Sequence, residues 1–210
     1  MVKFLYDANG NMVWRMDEDD RIWDLAWTPE NMLKQATILA GSGSGDTVRM
    51  VYDADGQMIR RIENEGQGSE KDSVFLGKLY EDDLNLTLVK THYFFNGKMV
   101  AQRDNNQVSF VLSDHLGSTV MTLYTSGTIK GQQRYDPWGD SRWSANYSHM
   151  GYRYTSQRWD GKMKLLDYNA RYYDPEIGRF ITADTLVPNP SNPQSFSRYT
   201  YVLNNPMTHT

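Results

Sequence analysis

A five-residue pattern that returns along the chain limits the fold more than any other feature. Tyr6-Asp7-Ala8-Asn9-Gly10 and Tyr52-Asp53-Ala54-Asp55-Gly56 each sit between short β-prone runs, and each is soon followed by a methionine, Met12 or Met58. The carboxylate can accept nearby backbone N–H groups and the glycine can take a positive φ, which is the chemistry of a tight hairpin. Trp27-Thr28-Pro29-Glu30-Asn31-Met32-Leu33 reads as a degenerate copy with its glycine lost, spaced from the next copy by the Gly41-Ser42-Gly43-Ser44-Gly45 loop. One hairpin cannot bury its own apolar face, so a chain that repeats hairpins must lay them side by side. The expected fold is all-β: consecutive antiparallel β-hairpins in a curved, spiralling sheet.

Aromatic residues make up 13% of the 210, with 14 Tyr and 6 Trp beside 16 Gly, a balance that suits short strands and turns better than helices. Strands are expected at 74–80, 87–95, 98–103, 107–112, 119–123 and 129–135, with a surface loop over 63–73. Asn96-Gly97 is the strongest hairpin signal, and Thr125-Ser126-Gly127 marks another turn. Residues 29–39 suit at most one short turn or helix, and 165–173 read as a single strand. The texture changes near residue 136, which divides the chain into a hairpin sheet over 1–135 and an irregular plug over 136–210. Pro188, Pro190 and Pro193 keep the segment around them out of regular structure.

Several chemistries are disfavoured. The chain has no cysteine, so disulfides, thiolate catalysis and Cys-bound zinc are absent. His92, His115, His149 and His209 lack metal-ligand spacing, and neither a metal nor a cofactor is expected. The formal net charge of -4 argues against a broad nucleic-acid surface. No apolar run is long enough to cross a bilayer, and the N-terminal run meets Asp7 too early for a signal peptide. Asp17-Glu18-Asp19-Asp20 lacks the ordered oxygen ligands of a calcium loop and reads as a solvated turn. In Ser113-Asp114-His115, adjacent residues of a strand point to opposite faces, so a hydrolytic triad is excluded and a turn-stabilising role is favoured. Met12, Met58 and Met99 read as gap-fillers beside their turns, and the Tyr and Trp side chains as packing between hairpins.

Taken together, these motifs resemble a known family. The Tyr-Asp-x-x-Gly hairpins resemble the YD repeats of bacterial RHS proteins, found also in toxin-complex C components and teneurins. Asp114-His115-Leu116-Gly117-Ser118-Thr119 is similar to a segment of that family, as is Tyr135-Asp136-Pro137-Trp138-Gly139. Asn169-Ala170-Arg171-Tyr172-Tyr173-Asp174-Pro175-Glu176-Ile177-Gly178-Arg179-Phe180 resembles the hallmark of the RHS-associated core, and the run Tyr199 to Pro206, with Asn204 and Asn205, resembles its closing element.

The resemblance implies a β-shell that shields a C-terminal toxin until delivery, closed at one end by the core segment. It implies partners of two kinds: the remaining shell strands or further copies meeting the open sheet edges, and the toxin cargo of the intact protein. It implies a secreted or cell-surface destination. In many members the core is an aspartyl autoprotease, and Asp184 matches one proposed catalytic aspartate. Here Thr185 replaces the family's proline after Asp184, and the 210 residues hold no further Asp-Pro or cleavage segment after Pro206. Two carboxylates must share a proton in such chemistry, so Asp184 alone suits an Asx turn and this chain is expected to be non-catalytic. Arg171 and Arg179 suit turn capping and the covering of aromatic faces better than carboxylate orientation. An adhesive or glycan-binding role for the Tyr- and Trp-bearing face is the remaining alternative.

Overall fold

A computed structural model describes residues 3–147, 150–187, 191 and 193–208. His149, His209 and the prolines Pro188 and Pro190 lie outside the described residues. Fourteen strands follow in chain order: β1 (Lys3–Tyr6), β2 (Met12–Met16), β3 (Ile22–Trp27), β4 (Leu33–Ala40), β5 (Thr47–Tyr52), β6 (Met58–Glu63) and β7 (Lys71–Leu76). They continue as β8 (Tyr80–Asp83), β9 (Leu88–Phe95), β10 (Lys98–Asp104), β11 (Gln107–Ser113), β12 (Thr119–Tyr124), β13 (Ile129–Tyr135) and β14 (Ser141–Ala145). Each strand bonds to the next in one open sheet, so β1 and β14 are its edges. The expected all-β ladder of consecutive hairpins is what forms.

One turn builds much of this ladder. Asp7 Oδ1 accepts the N–H of Asn9 at 2.9 Å and of Asn11 at 2.8 Å, Gly10 N–H donates to the Asp7 carbonyl at 3.1 Å, and Gly10 holds φ +84. The extra residue makes a bulge, and the register slips between Leu5 and Tyr6. Asp53, Asp114 and Asp136 repeat the same pair of Oδ1 bonds, with Gly56, Gly117 and Gly139 at positive φ three residues on. In the degenerate copy Asn31 takes φ 62 in place of glycine, an angle asparagine tolerates better than most residues.

The acidic run corrects its own reading. Asp17 Oδ1 accepts Asp19 and Arg21 N–H at 3.0 Å each, Asp20 stands at φ 57, and Asp17 is fully buried. It is a further copy of the repeat turn, with an aspartate where the glycine belongs: Glu18, Asp19 and Asp20 are solvated as expected, and Asp17 alone is turned inward.

Four other expectations are corrected. Residues 74–80 are not one strand, because Gly77 at φ +53 turns the chain between β7 and β8. Residues 165–173 divide into two strands around Asn169, which sits at φ 66 with its N–H on Asp167 Oδ1 at 2.7 Å. Residues 33–40 are strand β4, because Leu33, Ala36 and Ile38 are needed on the buried face of the sheet. The loop expected over 63–73 also shortens, since β7 begins at Lys71.

A second, four-stranded antiparallel sheet joins β15 (Arg158–Asp160), β16 (Leu165–Asp167), β17 (Tyr172–Asp174) and β18 (Arg179–Phe180). It covers one face of the long sheet. Met163, Leu165, Tyr172 and Ile181 close a core with Met12, Trp23, Leu25, Leu33, Ala36, Ile38, Val48, Met50, Met58 and Phe75. Farther along, Tyr147, Met150 and Tyr152 pack on Met99 and Val111. Tyr154, Leu166, Tyr173, Phe180 and Tyr201 form a third cluster inside the C-terminal segment. Each fully buried large side chain contributes about 1.5–3 kcal/mol, which accounts for the segment staying on the sheet. Pro193 opens a short 3-10 turn to Phe196, and a second such turn follows over Val202–Asn204.

Candidate functional site: the seam between the long sheet and the C-terminal segment

Arg15 on β2 is the pivot of the seam. It is 2% exposed, and its Nε meets Asp174 Oδ2 at 3.0 Å while Nη2 meets Glu176 Oε2 at 2.6 Å. Its Nη1 donates to the Met163 carbonyl at 3.2 Å. Asp174 is fully buried, and burial pushes its carboxyl up to about 6 although Arg15 pulls it back. Asp174 Oδ1 also accepts the Glu176 N–H at 3.0 Å, which shapes the turn through Pro175 to Gly178. A second clasp lies on β6 and β15, where Arg61 Nη2 donates to Asp160 Oδ1 at 2.9 Å and Nη1 bonds Glu63.

Three of the motif glycines, Gly10, Gly139 and Gly178, lie where the two parts touch. A Cβ on Gly10 would sit 2.6 Å from Tyr199 Oη, the hydroxyl that donates to the Gly10 carbonyl at 2.9 Å. A Cβ on Gly139 would overlap the Tyr154 ring, and one on Gly178 would press on the Trp138 indole at 3.2 Å. Tyr154 Oη donates to the Pro137 carbonyl at 2.8 Å, and Tyr173 Oη to the Trp138 carbonyl at 2.7 Å. Thus Pro137 and Gly139 meet Tyr154, Trp138 meets the Tyr172-Tyr173 strand, and Tyr201 of the closing element lies tilted against Tyr173 at 4.7 Å between ring centres. Tyr6 meets Tyr199 at 5.2 Å, and burial first, then Tyr199, pushes its hydroxyl up to about 12. Tyr52 Oη donates to the Leu33 carbonyl at 2.8 Å.

The other sequence-selected residues fall around this seam without converging on a reaction centre. His115 reaches the Met207 carbonyl with Nε2 at 3.3 Å, and Asp114 is occupied by its turn. Asp184 pairs with Arg171 at 2.9 Å and accepts the Leu186 N–H at 3.1 Å, while its backbone is tied to Arg198. Arg171 also lies 3.8 Å over the Phe180 ring. Arg179 pairs across the sheet with Asp174. Asn204 donates to Gln194 Oε1 at 3.1 Å, Asn205 N–H bonds the Val202 carbonyl, and Pro206 is buried. Met12, Met58 and Met99 are all buried, and Met58 accepts the Tyr172 hydroxyl at 3.6 Å.

Sequence reasoning missed Arg15, Arg61, Asp160 and His92. His92 is 3% exposed and packs edge-on to Tyr152 at 4.8 Å. Burial pushes its imidazole down to about 4; Glu81 opposes this, and Lys90 and Arg158 add to it. The inward positions of β9 run Lys90, His92 and Phe94, so no apolar alternation marks His92 in the sequence. A cavity of about 410 Å³ lies here, lined by Arg61, Lys71, Lys90 and Arg158 against Glu63, Glu81, Asp160 and Asp167. Arg153 and Lys162 line it too, so its cations outnumber its carboxylates; Lys162 pairs with Asp46, and Arg153 lies over the Tyr147 and Trp159 rings. No group of three or more His, Asp or Glu residues able to hold a metal occurs among the described residues.

The fold recurs in solved structures. The chain superposes over its full length on 13% of a chain in the Tc holotoxin pore of Photorhabdus luminescens, with TM-score 0.72 at 20% identity. It covers the same share of a chain in the TcdB2-TccC3 crystal structure, with TM-score 0.72 at 19% identity. In sequence, 96% of the chain is 26% identical to 9% of the tRNA nuclease WapA of Bacillus subtilis. Toxin subunit YenC2 of Yersinia entomophaga matches 89% of the chain at 24% identity, over 21% of its own length. The chain therefore spans a small part of each of these relatives. Residues 76–207 match the Teneurin YD-shell family, and the chain belongs to it.

Proposed function

We propose that this chain is a wall segment of a YD-repeat shell that encloses a toxic polypeptide cargo and delivers it outside the producing cell. The observation that carries this reading is the unbroken ladder: fourteen strands in chain order, sealed along one face by the C-terminal segment and, among the described residues, unpaired at both edges. Edge strands are templates for further strands, so β1 and β14 suit neighbouring shell strands or another copy of the chain. Relatives named as a nuclease and a toxin subunit support a toxic cargo. We place Asp184 in the scaffold, because its carboxylate is taken up by Arg171 and the Leu186 N–H and no second acid is among its partners.

Limited proteolysis of the full-length natural protein tests this. The cargo is expected to resist trypsin while the shell is folded and to be digested once denaturant opens it. Equal digestion rates in both conditions would remove the enclosure reading. On the same gels Asp184→Asn is expected to leave the band pattern unchanged. Loss of a cleavage product in a variant that keeps its β-sheet circular dichroism would return the autoproteolytic reading.

A further inference from the structure

The two faces of β9–β13 differ in kind. Toward the C-terminal segment run His92, Gln102 and Ser109, opposite one another on successive strands and at most 3% exposed. On the reverse face the adjacent row is Tyr93, Ala101, Phe110, Leu123 and Ile129, again each opposite the next. With strands about 4.8 Å apart this apolar stripe is about 20 Å long. Phe95, 76% exposed, and Leu112, 46% exposed, share the face by the two-residue period and widen the stripe.

The charges on this face have one sign. Lys98 lies opposite Phe95, Arg103 opposite Thr91, and Arg134 opposite Trp143, whose indole the guanidinium covers at 5.6 Å. None of the three forms an ion pair among the described residues. Asp104 is the single acid within β9–β14, and it turns to the covered side, where Lys130 meets it at 3.3 Å. A chain of net charge -4 thus carries one broad sheet face with cations, rings and aliphatic side chains and no carboxylate in its strands.

We infer that the open face of β9–β13 docks on the surface of an anionic lipid bilayer. Lipid phosphates supply the counter-charge that Lys98, Arg103 and Arg134 lack within the chain, and the nearby Tyr and Trp rings suit the headgroup layer. Ile129, Leu112 and Phe95 decide between a membrane and a soluble polyanion, because only a bilayer offers hydrocarbon in which such side chains gain by burial. The inference rests on this face alone and is independent of cargo enclosure.

Vesicle co-sedimentation of the purified chain tests it. Vesicles mixed from phosphatidylglycerol and phosphatidylcholine are expected to pull down the protein at least about tenfold better than pure phosphatidylcholine, with the advantage lost near ~0.5 M salt. The double variant Arg103→Glu, Arg134→Glu is expected to lose about tenfold or more in binding, and Phe95→Ser, Ile129→Ser to weaken it with an unchanged circular dichroism spectrum. No vesicle binding, equal binding to neutral vesicles, or full binding by the charge-reversed variant would each overturn the inference. Capture by polyphosphate without vesicle binding would also overturn it and assign the face to a soluble anionic polymer.

Discussion

An aspartate that takes two backbone N–H groups, with a positive-φ residue three places on, is the unit from which the ladder is made. Not every such glycine carries the same load. Gly117 holds φ +85 with open space where a Cβ would stand, whereas a Cβ at Gly139 would run into the Tyr154 ring. Gly117→Ala is therefore expected to cost only the backbone strain, about 1–2 kcal/mol. Gly139→Ala is expected to cost about 2 kcal/mol more, because Tyr154 must leave the Pro137 carbonyl and its ring cluster. Urea unfolding of the two variants checks this, and equal losses would show that the ring yields freely. The aspartate-and-glycine turns were legible because their bonds are local. The turn at Asp17 was not, since Asp20 supplies the positive φ there and its acidic neighbours look like solvated surface.

Strand β17 and strand β9 carry buried groups whose titrations oppose each other. Burial raises Asp174 from 3.8 to about 6, so the folded state binds the extra proton and stability from this group is present below 3.8 and lost as pH rises through about 6. Burial lowers His92 from 6.5 to about 4, so its contribution is present above 6.5 and lost as pH falls through about 4. Each is worth on the order of 3 kcal/mol across the shared window, and the protein is expected to show nearly level stability between about pH 4.5 and 6.5. Substitution unmasks the partner: His92→Gln should gain stability on acidification and Asp174→Asn should lose it. Chemical denaturation at several pH values measures both slopes, and parallel slopes in the two variants would refute the opposition. At this scale the sequence signalled most strands. It failed where an apolar run continued through a turn, as at Gly77, and where one hallmark motif hid two short strands around Asn169.

Across the whole molecule, the placement of the C-terminal segment depends on distant pairs. The Arg15–Glu176 contact joins residues 161 apart, and no local periodicity announces it. What was readable was a surplus of aromatic rings beyond residue 136; which face they would cover was not. The packing divides that cover into regions, with Leu165 and Tyr172 backing β2–β7 and Tyr147, Met150 and Tyr152 backing β10 and β11. A sheet of sequential hairpins couples mainly nearest neighbours, so damage under one region should not spread evenly. Leu165→Ala, at a position 1% exposed, is expected to cost about 2–5 kcal/mol. In hydrogen exchange the amides of β2–β7 should lose protection first, while those of β10–β12 keep most of theirs. Leu112→Ala, on the open face, should change global stability by no more than about 0.5 kcal/mol. If exchange quickens equally from β2 to β13 in the Leu165 variant, the ladder and its cover unfold as one unit, and the regional picture of the wall is wrong.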